Sequence, residues 1–261
     1  MSFPLSGLNA AYTLGGSNLL ALLEMGSISI DVDSVDAAGL GDTDEYQLPV
    51  KRGAKHDFSV RQLNGSGIKQ TNLDISLWSI DGTDFLGAWK SGGFSGSVRT
   101  KDTSGGAQFD KKPAFRRRAM EFTTDKMVFS TSVVGAMISR TPAQLSVAVS
   151  ITFGASTYTQ QMLLTAGKIT VQGEDTTMEN LTLKNQGTAT SPSDSTLLGV
   201  FLGNAQLALV LQTCAAGGEQ FETSGSVLGL LTRLNGAFSE GALTKLDGTL
   251  EIQGALTYVT T

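Results

Sequence analysis

The sequence predicts a mainly β protein, built as two tandem β-sandwich or barrel-like domains, each with a short flanking helix. Three observations carry that expectation. Segments with clean period-two alternation recur along the chain, turn residues separate them at spacings of roughly 8 to 12 residues, and one stretch occurs twice. Shifted by 112 residues, Leu86–Phe109 falls on Leu198–Phe221 with seven identities in 24 ungapped positions, among them Gly105-Gly106 on Gly217-Gly218 and Gln108-Phe109 on Gln220-Phe221. A fixed offset is the mark of a copied unit. A boundary at Pro142 then gives domains 1–143 and 144–261.

In chain order, Gly15-Gly16-Ser17-Asn18 introduces the apolar run Leu19-Leu20-Ala21-Leu22-Leu23. A strand follows in which Ile28, Ile30 and Val32 share one face, while Ser27, Ser29, Asp31 and Asp33 share the other. From Ser34 to Lys55 alternation disappears among glycines and charges, which predicts a long connecting loop. It is either a mobile hairpin tip or an arm that reaches a neighbouring subunit, for which Asp42, Asp44, Glu45, Tyr46, Lys51 and Arg52 are the candidates. Strands are expected at His56–Leu63, Leu73–Ile80, Met127–Val134 and Leu145–Phe153, the last with Val147, Val149 and Ile151 facing inward.

Phe115, Ala119 and Phe122 stand at helical spacing, and Val227, Leu231 and Leu234 occupy the places 112 residues on. A short amphipathic helix is therefore expected in each half. Leu207, Leu209 and Leu211 mark a further strand, and the alternation of Leu250, Ile252, Gly254, Leu256 and Tyr258 predicts a closing one.

Charged residues make up 16% of the chain, against about 25% in ordinary globular domains. A surface poor in charge suits a subunit that faces copies of itself. The net charge of −5 argues against a dedicated nucleic-acid binder, which carries a basic face. One cysteine, Cys214, cannot form an intrachain disulfide, in keeping with a reducing compartment. The start Met1-Ser2-Phe3-Pro4-Leu5 lacks the basic-then-apolar order of a signal peptide, and no run of about 18 apolar residues predicts a membrane span.

Little catalytic chemistry is legible. The single histidine, His56, has no Gly-x-Ser-x-Gly partner, and is expected to be an ordinary strand-edge residue. There is no zinc-type Cys/His set, no calcium loop around Asp31 and Asp33, and no phosphate-binding glycine motif. The expectation is a protein that is not an enzyme and needs no cofactor. One charge cluster stands out, Lys111, Lys112, Arg116, Arg117 and Arg118, either a solvated helix face or a candidate site for salt bridges between subunits.

Leu14-Gly15-Gly16-Ser17, the run Gly26–Asp36 and the acidic Gly39-Leu40-Gly41-Asp42 together resemble the start of phage tail tube proteins. The resemblance covers about residues 10 to 60. It implies a virion structural protein, assembled in the host cytoplasm, whose homotrimeric or hexameric rings stack into a conduit for DNA. Sheet edges would join round each ring, the early loop would reach the adjacent ring, and the repeat fits members with two tube domains in one chain. Implied partners are the chain itself, the tape measure, tail tip and terminator proteins, and double-stranded DNA only in transit, with no membrane. By the same resemblance Asp31 and Asp33 are candidates to line the bore, where an acidic or neutral wall lets DNA slide. The alternatives are another virion structural protein, such as a capsid decoration or tail-completion protein, and a carbohydrate-binding β-module.

Overall fold

The computed structural model describes residues 11–20, 23–37, 47–61, 75–80, 82–84, 89–128, 145–153, 156–173, 175–187, 197–212, 219–225, 227–239 and 242–260. Seventeen strands are described: β1 Tyr12–Leu14, β2 Ser17–Asn18, β3 Leu23–Asp36, β4 Gln47–Arg61, β5 Ile75–Ile80, β6 Thr83–Asp84, β7 Trp89–Asp102, β8 Pro113–Val128 and β9 Ser146–Phe153, then β10 Ser156–Gln172, β11 Asp175–Asn185, β12 Gln206–Leu207, β13 Leu209–Gln212, β14 Glu219–Glu222, β15 Gly229–Ser239, β16 Ala242–Ile252 and β17 Thr257–Thr260. The one described helix is α1, Leu197–Gly203. The protein is mainly β, as its alternation predicts.

The strands form a small sheet, β17-β14-β13-β1-β2, and a large one, β3-β4-β16-β15-β7-β8-β11-β10-β9-β5-β6, with β12 paired to β15. All the pairings between these strands are antiparallel. One continuous buried cluster fills the space between the sheets, joining Tyr12, Leu14 and Leu209 of the small sheet to Phe58, Phe94, Phe122, Leu234 and Leu250 of the large one. The residues Leu197–Leu202 of α1 are all buried in that cluster as well. Gly96 makes the seat for the helix, since a Cβ built there would stand 2.5 Å from the ring of Phe201.

Several expectations are corrected. Ala114–Phe122 is not a helix but part of β8, and the stretch after Val227 becomes β15. The buried side chains of β8 alternate as Met120, Phe122 and Thr124, so pairing with β7 and β11 overrides the local helical spacing. The 34–55 loop is largely strand, because β3 runs on to Asp36 and β4 begins at Gln47. Both faces of this hairpin are exposed over 31–36 and 47–50, so burial imposes no alternation that a sequence could display. The closing alternation hides a corner: β16 ends in the large sheet, Gly254 takes φ +147°, and β17 enters the small sheet.

The division at 143/144 is not confirmed. β4 pairs with β16, β7 with β15 and β8 with β11, so strands from both segments alternate within the large sheet. The 112-residue offset lays β7 over α1 and the short strands after it, so the matched stretches differ in structure.

Candidate functional site

Eight long strands lie side by side in the order β3-β4-β16-β15-β7-β8-β11-β10. Each step is antiparallel, so β3 and β10, at the two ends of the run, point in opposite directions. No described strand pairs with the outer edge of β3. On the other side β9 covers β10 only from Ser156 to Leu163, leaving the outer edge from Leu164 to Gln172 without a described strand partner. Free N–H and C=O rows of this kind are templates for pairing with another chain.

The register separates two faces. Ala54, His56, Phe58, Leu250, Leu234 and Phe94 point to the core. The opposite, open face carries Asp31, Lys55, Asp57, Glu251, Asp247, Arg233, Arg99, Arg117, Glu121 and Lys184, cations and anions interspersed. Asp31 and Asp33 are on this open face, across from Gly53 and Lys51. Beyond the core the β3–β4 hairpin projects as an arm, with Ile30, Val32 and Val35 each more than half exposed.

The base of the arm is pinned by three ion pairs to the connection between β7 and β8. Lys51 Nζ meets Asp102 Oδ2 at 2.7 Å, Arg52 Nε meets Asp110 Oδ1 at 2.7 Å, and Lys111 Nζ meets Asp33 Oδ2 at 2.7 Å. The backbone continues the contact, Arg52 N–H donating to Phe109 O and Lys111 N–H to Arg52 O. Gly53 leaves a path for the Lys111 stem, which a Cβ would meet at 3.3 Å. At Asp102 burial would raise the carboxyl, but the Lys51 ammonium and the amides of Lys112 and Ser104 outweigh it and hold it well below the usual carboxylate range.

Three groups named separately in the sequence thus partly converge. Lys51 and Arg52 of the expected arm, Asp33 of the expected bore and Lys111 of the basic cluster meet at one seam. The rest of the basic cluster diverges along β8. Arg116 and Arg117 are exposed, whereas Arg118 is half-buried between Phe115 and Phe201, with its guanidinium on Asn204 Oδ1. Asp42, Asp44, Glu45 and Tyr46, and also Cys214, lie outside the described residues.

His56 is not an edge residue. It is fully buried, with Nδ1 2.9 Å from Ser27 O and Nε2 3.0 Å from the Tyr12 hydroxyl. Burial lowers its pKa, against the opposing pull of the Ser27 carbonyl and Asp57, and raises that of the Tyr12 hydroxyl. Sequence reasoning missed Arg99, whose role depends on the register that sets it opposite Arg117. Among the described residues no cluster of three or more His, Cys, Asp or Glu side chains could hold a metal ion, and no helix is long and apolar enough to cross a membrane. No known family model, curated protein or solved structure matches the chain.

Proposed function

We propose that the chain is a self-assembling structural subunit of a phage tail tube, whose rings stack into a conduit for double-stranded DNA. Support comes above all from the two edges that no described strand covers. The outer edge of β3 and the Leu164–Gln172 edge of β10 run in opposite directions, so a head-to-tail joint between copies continues the antiparallel alternation unbroken. A heterologous joint of that kind closes into a ring when its rotation allows, and closure removes the exposed edges. Three copies supplying all eight long strands, or six in a larger ring, are the arrangements the resemblance favours.

The open face fits the wall of such a conduit. Its charges are mixed in sign and several are matched in pairs, Asp31 with Lys55, Glu121 with Lys184 and Asp247 with Lys245, so it offers DNA no continuous basic track. The projecting arm would reach the next ring. The tape measure, tail tip and terminator proteins follow as partners, the virion tail as location, and no catalysis is required.

Negative-stain electron microscopy of the concentrated protein at moderate salt tests the proposal. Hollow rods or stacked rings with threefold or sixfold end views are expected. Closed small oligomers that never stack, even when seeded with tail tips, would overturn it in favour of a capsid decoration or tail-completion role.

A further inference from the structure

One end of the β7–β8 pair holds more positive charge than the described residues neutralise. Arg99, Lys101, Arg116 and Arg117 are exposed there, and none forms an ion pair with a described residue. Arg99 and Arg117 stand directly opposite each other in the β7–β8 register, on the open face. Like charges in that position destabilise an antiparallel pair. Of the carboxylates of the same sheet and its seam, Asp31, Asp33, Asp102, Asp110, Glu121 and Asp247 are each matched by a lysine or arginine, while Glu251 accepts from the Thr100 hydroxyl and Asp57 from that of Thr249. No described carboxylate forms an ion pair with Arg99 or Arg117.

They border a cleft of about 570 Å³, closed on its far side by Asn185 and Gly187 at the end of β11. Arg118 lines it too, held in place by the Phe115 and Phe201 rings at 5.5 and 5.2 Å and by Asn204. The hydroxyl of Ser97 adds a neutral donor beside Arg99. Among the described residues no carboxylate and no aromatic ring lines the cleft.

We infer that this cleft binds a phosphate-type oxyanion, held chiefly by Arg99 and Arg117. Guanidinium forks on adjacent strands suit an oxyanion with several acceptor oxygens, which each can grip through two N–H donors. The described lining residues offer a base no aromatic ring to stack on, so the recognition they provide is of the phosphate group. Two sources share that chemistry, free inorganic phosphate and the phosphodiester backbone of DNA. The site stands whether or not copies assemble.

The test uses the intact chain, with inorganic phosphate as one probe and a 12-base-pair DNA duplex as the other, each against chloride at matched ionic strength. Calorimetric titration and thermal melts should show phosphate binding and a raised Tm for the wild type. The double variant Arg99→Gln, Arg117→Gln should bind at least about tenfold more weakly and, in chloride alone, melt no lower than the wild type, because the repulsion is gone. Lys245→Gln, on the same face but outside the cleft, should bind as the wild type does. If the double variant folds poorly, Arg117→Lys keeps the charge, loses the fork and should still bind severalfold more weakly. Duplex binding whose salt slope falls by about two in the double variant identifies the phosphodiester as the source, and phosphate binding without duplex binding identifies the free ion. A Tm rise equal to that in chloride, or phosphate binding unchanged in the double variant, overturns the inference. So does a double variant that loses only self-association, which would make the cleft a carboxylate contact between copies.

Discussion

The Nε2 of His56 lies 3.0 Å from the hydroxyl of Tyr12, and this contact ties β1 of the small sheet to β4 of the large one inside the core. The Ser27 carbonyl can only accept, so Nδ1 carries the proton and Nε2 takes the Tyr12 O–H. The ring also stacks on Phe58, with centroids 5.9 Å apart. Protonation would turn the Tyr12 contact round and leave a charge buried in the core, which burial disfavours.

Stability should therefore fall on mild acidification. An unfolded histidine titrates near pH 6.5, and burial puts the folded value lower. Its contribution is whole above about pH 6.5 and is lost as pH falls through the folded value. Since His56 is the only histidine, thermal melts between pH 7.5 and 5 isolate it. The wild type should lose Tm across that window, whereas His56→Gln should start lower and stay flat. A wild-type Tm that is constant to pH 5 contradicts the account.

Gly96 should resist any enlargement. The Phe201 ring fills the space a methyl group would need, so Gly96→Ala should cost about 1 to 3 kcal/mol through overpacking. Gly105, with nothing within 4 Å of a built Cβ, is the control, and Gly105→Ala should change stability little. Urea unfolding of both variants compares them.

The seam at the base of the arm should govern the arm rather than the fold. Its ion pairs are partly exposed, and such pairs contribute less than about 1 kcal/mol each. Lys51→Ala with Lys111→Ala should leave the urea midpoint nearly unchanged, while amide exchange quickens along 31–36 and 47–52. Because Asp102 stays ionised below the ordinary carboxylate range, the Lys51 contact should persist through pH 4 and be lost only as pH falls through that depressed value. Exchange measured between pH 5 and 3 would show this.

Assembly should depend on the β3 edge. Neighbouring residues on a strand turn their N–H groups to opposite sides, so of Ser29→Pro and Ile30→Pro one removes an outward donor and spares the pairing with β4. That variant should fold, by circular dichroism, yet form no rings or rods. If both fold and assemble normally, the edge-to-edge joint is wrong.

What could be read in advance follows from burial. Val147, Val149 and Ile151 face the core on a strand whose other side is wetter, and the alternation showed it. Helix α1 is buried all round, so Leu197–Gly203 carries no amphipathic stripe and the periodicity rules pass over it. Arg116–Arg118 gave the opposite failure, since strand bulges near Arg99 and Phe115 shift the pattern towards a helical spacing. The seam was invisible because it joins Asp33 to Lys111 across 78 residues of chain. Position in a sheet, rather than the identity of the residues, brings those charges together.

The interleaving of early and late strands also has a consequence for biogenesis. Thr249 on β16 hydrogen-bonds to Asp57 on β4, 192 residues earlier in the chain. At ordinary translation speeds, β4 waits roughly 10 to 40 s for the strand that flanks it. Until then the β3–β4 hairpin has two bare edges, one at each side, and nothing to distinguish its proper neighbour from another nascent chain. Only when β16 arrives does the sheet acquire one defined outer edge on that side, so the proposed joining of copies would have to wait for the finished polypeptide.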